Sequence, residues 1–363
     1  MNISSKLLAI VCYPCYSNYV SYPCYLQETK GHRGTGEKVK KMNLKENANL
    51  MKTQTFGVEI EFAKMTREQC AKLVRDYFIQ KYGNDLGIDT YYDGRHLSNH
   101  VVIDHKGRKW QVYSDASLDR YENTGELVTP ILNYEDIEDL QNILRLMREN
   151  GAKSNAQYGC GVHIHVGADI GKEGGHNPKS IRNLANIISS HQNIIKNAID
   201  FTASRSSYCQ VINAELVRRL NAQKPKTMEK LKEIHYGVLG RDYSHYSGTR
   251  YYFLNLHAIW DKGTIEFRCF EFHKNMHAGE LKAYIQLCLA MSSYAKLVRH
   301  CRPNDISRTE NQKYTMNSWL KNLGLIGDEF KTARKMLTKR LSGDTAYRSG
   351  RHTNSLDDLD LAE

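Results

Sequence analysis

Between Thr55 and Phe272, apolar and polar positions alternate with period two in short segments and recur every three or four residues in longer ones. The first pattern marks half-buried strands and the second marks helices with one buried face. Phe56-Gly57-Val58-Glu59-Ile60-Glu61-Phe62 places two glutamates on one face and Val58, Ile60 and Phe62 on the other. Gly159-Cys160-Gly161-Val162-His163-Ile164-His165-Val166-Gly167 does the same with two histidines. Thr264 to Phe270 sets Glu266 and Arg268 opposite Ile265, Phe267 and Cys269, and Gly125 to Pro130 puts Glu126 at the start of a short apolar strand. Three more strands are predicted at 89–92, 100–104 and 109–115, turning at Asp93-Gly94 and Lys106-Gly107. A further hairpin is predicted from 250–259 and 264–272 over Asp261-Lys262-Gly263.

Helical spacing predicts a helix from Thr66, whose hydroxyl and Gln69 form a capping box, to Gly83. Its buried face is Cys70, Leu73, Val74, Tyr77 and Phe78. Further helices are expected at 133–150, from Pro178 to about Thr202, from Ala278 to about His300, and beyond Pro303 at about 315–323 and 328–341. Residues 203–248, rich in Arg, Tyr and Ser, read as helix and loop, a candidate lid or substrate-binding segment. Strands joined mostly as antiparallel neighbours, with helices in blocks, predict an α+β fold.

Residues 1–52 lack periodicity and read as a disordered extension, 53–302 as the catalytic unit, 303–345 as a helical extension and 346–363 as a disordered tail. Leu7 to Val11 follows Lys6 but is short for a signal peptide and lacks a small-residue cleavage site. No apolar run reaches the length of a membrane span, so a soluble protein is expected. Nine scattered cysteines read as thiols of a reducing, cytoplasmic compartment; Cys12-x-x-Cys15 with Cys24 lacks a fourth zinc ligand. The net charge is +11, of which 1–52 carries +5 (eight Lys/Arg against three Asp/Glu). The excess suits an anionic partner, and a solvated basic surface explains it equally well. Nucleic acid ranks last, because the basic residues do not gather on one element with aromatics.

Carboxylates inside apolar strands are costly unless they are paired or hold a metal. Three such strands beside a His-x-His strand read as one polar, concave face. Oxygen donors outnumber thiolates on it, which favours Mg²⁺ over zinc.

Gly57-x-Glu59-x-Glu61, Glu126-Leu127-Val128-Thr129-Pro130, Cys160-Gly161-x-His163-x-His165-x-Gly167 and Gly263-Thr264-Ile265-Glu266-Phe267-Arg268 follow one another in a set order. In that order they resemble the amidoligase family, a branch of the carboxylate–amine ligases with the catalytic fold of glutamine synthetase and γ-glutamylcysteine ligase. The resemblance spans about residues 53–300. It implies a curved antiparallel sheet with helices on its outer face and ligands pointing inward. It also implies ATP and two Mg²⁺ ions, with Mn²⁺ as a substitute, and an acyl-phosphate route from a carboxylate and an amine to an amide. Glu59 and Glu61 would hold two different ions, Glu126 would add to the first, and His163 and Glu266 would hold the second. His165, Arg268 and Arg250 would contact the ATP phosphates. In the glutamine synthetase relatives a neighbouring subunit completes the site; the oligomeric state of this chain is not legible.

Two roles stay open on the residues themselves. Asp115 is a candidate base for the amine, or a cap on its own turn. Arg268 suits a phosphate, or an ion pair with Glu266 or Glu126. The carboxylate is an amino acid, a peptide, a protein side chain or a cell-wall peptide. The rival reading is a metal-dependent hydrolase or cupin-like enzyme in which His163 and His165 bind a transition metal with a third imidazole from His176, His191 or His273.

Overall fold

The structure, a computed structural model, describes residues 44–83, 90–92, 99–118 and 123–347. Eight strands form one sheet: β1 (Phe56–Phe62), β2 (Thr90–Tyr92), β3 (His100–Ile103), β4 (Lys109–Tyr113), β5 (Gly125–Val128), β6 (Val162–Gly167), β7 (Leu254–Asn255) and β8 (Thr264–Phe270). Their order is β2-β3-β4-β5-β1-β6-β8-β7, and each neighbouring pair is antiparallel. The central place of β1 follows from its pattern. Val58, Ile60 and Phe62 are fully buried on one face, which an edge strand would leave half covered.

Around the sheet lie α1 (Leu44–Lys52), α2 (Arg67–Tyr82), α3 (Ile137–Glu149), α4 (Pro178–Ile199), α5 (Ala214–Gln223), α6 (Met228–Leu239), α7 (Ala258–Asp261), α8 (Ala278–Leu297), α9 (Gln312–Asn322) and α10 (Lys331–Thr338). The expected capping box at Thr66 and Gln69 starts α2. Asn177 and Ser180 form another at α4, with Pro178 in its first turn. Apolar faces of strands and helices merge into one core running from Met51 to Leu341. The opposite face of the central strands keeps the polar residues.

Three expectations need correction. The disordered reading of 1–52 fails over its last nine residues, which form α1. Met51 is buried there, and the Asn47 side-chain amide donates to the Leu323 carbonyl at 2.7 Å. The remainder of that stretch, the Asp93-Gly94 turn and the tail from 348 lie outside the described residues. The hairpin arm predicted at 250–259 is a strand only at Leu254–Asn255, paired with Phe267 and Glu266. Below it the chain turns into α7, burying Ala258 and Ile259. Finally, the C-terminal helices are no appendage: Met316, Leu320 and Leu337 belong to the same core as the sheet.

None of the six cysteines of the described residues forms a disulfide; Cys70, Cys160, Cys269 and Cys288 are buried, as their apolar settings predict, and Cys209 and Cys301 are buried too. No helix among the described residues is long and apolar enough to cross a membrane.

Candidate active site

Strand register assembles the site. Glu59 faces His163 across β1–β6, Glu61 faces Glu126 across β1–β5, and Glu266 faces His165 across β6–β8. Side chains opposite one another in adjacent strands share a face, so six residues from four strands meet without any loop. Between Val162 and Ile164 the register with β8 slips, as Val162 opposes Phe270 while Ile164 opposes Phe267. The extra residue of this bulge falls at Arg268–Cys269. Arg268 there bonds Glu266 Oε1 through Nη1 at 2.5 Å.

Two clusters of metal-ligand type result: Glu59, His163 and Glu266, and Glu61, Glu126 and His163, each with donor atoms within 4.8 Å of one another. Taken in order, the resemblance would pair Glu126 with Glu59 and Glu266 with Glu61; the structure groups them the other way. His163 is common to both. Its Nδ1 lies 3.0 Å from Glu59 Oε2 and 3.8 Å from Glu266 Oε1, and its Nε2 lies 3.7 Å from Glu61 Oε1. A neutral imidazole has a single lone pair, so one cluster at a time can take it as a ligand.

His165 does not join His163 on a common cation site among the described residues. Its Nδ1 is 2.9 Å from the Thr264 hydroxyl. Its buried Nε2 points toward Glu59 Oε1 at 3.2 Å without a hydrogen bond.

Two cations that sequence patterning did not single out complete the floor. Lys262, from the turn before β8, donates to Glu59 Oε1 at 2.9 Å. Arg205, from a 3-10 turn after α4, donates from Nη2 to His163 Nε2 at 2.9 Å and to the Arg268 carbonyl at 3.0 Å. This donation makes Nε2 of His163 the acceptor and leaves the proton on Nδ1, facing Glu59. Gly161 permits the arrangement. A Cβ there would fall 2.0 Å from the Arg205 guanidinium, while its own amide donates to Glu61 Oε2 at 2.6 Å. Neither cation carries a strand or helix signature, and only the Asp261-Lys262-Gly263 turn beside Glu266 offered a hint.

Burial alone would raise the pKa of Glu59, but the nearby His165, the hydrogen bond from His163, and Lys262 outweigh it and hold the group well below the ordinary carboxylate range. Burial opposes ionisation of Glu266 too, yet His165 and Arg268 pull it down to about 2. Glu126 goes the other way: burial, then the charges of Glu59, Glu61 and Asp115, lift it well above its usual value. Desolvation, then Arg268, keeps His163 below the usual imidazole value.

These groups line a cavity of about 870 Å³. Arg250 lines it, its guanidinium 4.9 Å from the Tyr251 ring and its buried Nε without a hydrogen-bond partner. Asp115 lines it also, while its Oδ1 accepts the Ser117 amide at 2.8 Å, so the turn-capping role is real. The third imidazole of the rival reading is not supplied by its candidates. His176 bonds Ser180 and Ser292 in the core, His191 stacks on Trp319, and His273 pairs with Asp200.

Comparison with curated proteins returns no match. Among solved structures, a bifunctional glutathione synthetase from Pasteurella multocida aligns at 13% identity and a TM-score of 0.37. That alignment covers 82% of this chain and 48% of that one, so this chain spans about half its length. The family described as "Putative amidoligase enzyme" matches residues 52–292, a stretch that contains every side chain of the cavity floor. The chain belongs to that family.

Proposed function

We propose that this protein is an ATP- and Mg²⁺-dependent ligase that joins a carboxylate to an amine through an acyl phosphate, on a glutamine synthetase-like sheet. One observation carries the reading: two carboxylate clusters sharing His163 open, with Arg250, Arg268 and Lys262, into the same cavity. Family membership supports amide formation as the outcome.

The donor set fits two divalent cations of hard character. Four carboxylates provide oxygen ligands, and Glu126, crowded by like charges, is relieved by a cation. Glu59 and Glu266 would hold one ion, Glu61 and Glu126 the other, and His163 would complete one of the two once Nε2 lets go of Arg205 or Nδ1 gives up its proton. The orphaned Nε atoms of Arg268 and Arg250 and Nε2 of His165 fit the phosphate oxygens of ATP. When bound, Mg²⁺ neutralises the charge that spreads over the transferring phosphoryl group.

The chain's own residues do the remaining work. Arg268 and Arg250 orient the phosphates and stabilise developing charge from a buried position. Arg205 and Glu59 fix the His163 ring, and Thr264 fixes that of His165. Asp115 holds its turn at the cavity wall, where it stands as one candidate to accept the amine proton. The residue types support an amino acid, peptide or protein side chain as the carboxylate.

The test is ADP release by the full chain with ATP and Mg²⁺ across a panel of carboxylates and amines. Release that requires both substrates is expected. Activity without ATP, together with zinc or iron retained through purification, would defeat the reading in favour of a hydrolase.

A further inference from the structure

We infer that His245, backed by Asp261, is the general base that takes the proton from the attacking amine. The inference rests on the ligase reading above. His245 Nδ1 lies 2.9 Å from Asp261 Oδ2, and both residues line the cavity that holds the carboxylate clusters. A carboxylate can only accept, so Nδ1 carries the proton and the lone pair is on Nε2. His245 is 53% exposed and Asp261 23%, which leaves that face of the ring open to a substrate.

The pair is anchored from both sides. Asp261 ends α7, whose Trp260 packs 5.4 Å from the Tyr236 ring, and the next residue, Lys262, reaches Glu59. Two consecutive residues therefore tie the base and the metal cluster to one turn. His245 sits in a loop closed on Asp242, which accepts from the Ser244 amide and hydroxyl through Oδ1 and from Ser247 through its carbonyl. His257 is close by, itself facing Asp261, Asp242 and Arg250, and Tyr246 stands edge-on to His245 at 4.8 Å. His257 also lines the cavity but is 2% exposed, with Nδ1 held by the Tyr236 hydroxyl at 2.6 Å, so it is no rival for a bulky amine. Asp115 is a poorer base, because its Oδ1 already accepts the Ser117 amide at 2.8 Å.

The step balances without another reagent. The nitrogen of a neutral amine bonds to the acyl carbon, and the bond from that carbon to the phosphate oxygen breaks with its electron pair leaving on phosphate. An amine that arrives as its ammonium is neutral because it has first given a proton to His245 Nε2, where Asp261 stabilises the imidazolium, and the N–H proton lost on amide formation leaves with the phosphate.

Hydroxylamine is a much weaker base than ammonia or methylamine, so near neutral pH it is largely unprotonated and attacks acyl phosphates readily, whereas the other two are protonated there and depend on a base. The full chain and His245→Gln are therefore assayed with ATP, Mg²⁺ and the proteinogenic amino acids as carboxylates, using hydroxylamine, ammonia and methylamine in parallel. We expect amide formation with the two basic amines to fall ~100-fold or more while hydroxamate formation falls less than about tenfold. The acid limb of the pH–rate profile should also vanish for the basic amines. Should His245→Gln fail to fold, Asp261→Asn serves in the same comparison and should show the same selectivity in smaller measure. Equal loss, or no loss, with every amine overturns the role of His245 and leaves the ligase reading standing. A wild-type chain that releases no ADP with any pairing overturns both.

Discussion

A methyl group added at Gly161 would fall 2.0 Å from the guanidinium of Arg205, a side chain only 6% exposed and bonded to His163. Neither partner has room to withdraw. Gly161→Ala should therefore destabilise the fold by about 1–3 kcal/mol through overpacking, measured by urea denaturation. Because the clash has one partner, the double change Gly161→Ala with Arg205→Ala should be less destabilising than the sum of the two single changes. Strict additivity would show that Arg205 is not packed there. Glu126 supplies a second residue-scale expectation. Its folded pKa is raised, so the metal-free protein binds a proton that the unfolded chain has lost; its contribution to stability fades as pH rises through that raised value. Added Mg²⁺ should restore the lost stability at the upper end of that range, seen as a thermal shift that grows with pH. A shift that shrinks with pH would reverse the sign and exclude Glu126 as a ligand. Glu59, Glu61, Glu126, His163 and Glu266 were legible because alternation fixes which face each side chain takes. Arg205, Lys262 and His245 come from turns and loops, where no period says which way a side chain points.

At the level of elements, β8 shows where patterning is trustworthy and where it stops. Its alternation holds from Thr264 to Phe267, and the bulge then brings both Cys269 and Phe270 into the core, which no strict period predicts. The misread arm at 250–259 is rich in Tyr, Phe and Leu, good strand formers. Tertiary packing overrode them, since burying Ala258 and Ile259 in α7 positions His257 against Tyr236. Elsewhere an ion network joins the β3–β4 hairpin to the start of α3. Asp136 accepts Lys106 Nζ at 2.8 Å, Arg108 Nη1 at 2.7 Å and the Asn133 amide at 2.8 Å. Burial opposes its charge, but Arg108 and Lys106 lower its pKa to about 2. A depressed folded value stabilises the protein above the unfolded pKa of about 3.9. That contribution is lost as pH falls toward about 2. Asp136→Ala should cost roughly 3 kcal/mol at neutral pH, because Arg108 and Lys106 lose the carboxylate they share and Arg108 keeps only the buried Asp104. The gap between variant and wild type should close in acid; a gap that persists at the lowest pH would assign the loss to packing alone.

The whole molecule is more unified than its sequence suggests. Helix α1 and the helices beyond 303 look detachable, because short polar-rich segments give no sign of what they dock against. In the structure Asn47 is fully buried and donates to the carbonyls of Leu323 and Ala290, so both ends of the described chain close on α8. Asn47→Ala should lower stability by about 1–3 kcal/mol by removing the donor to the Leu323 carbonyl and opening space in the core, with no change in metal affinity when the folded protein is titrated. An unaltered denaturation midpoint would mean that α1 is not part of the folded unit. The sheet it braces brings the two carboxylate clusters together, and on that convergence the ligase proposal stands. Its most direct test is to titrate the metal-free full chain with Mn²⁺, with and without ATP, counting bound ions by electron paramagnetic resonance. The account predicts saturable binding that ATP tightens, weakened at least tenfold in Glu59→Gln and Glu266→Gln, both of which should stay folded. Wild-type protein that binds neither Mn²⁺ nor ATP, or variants that bind as well as it does, would contradict it.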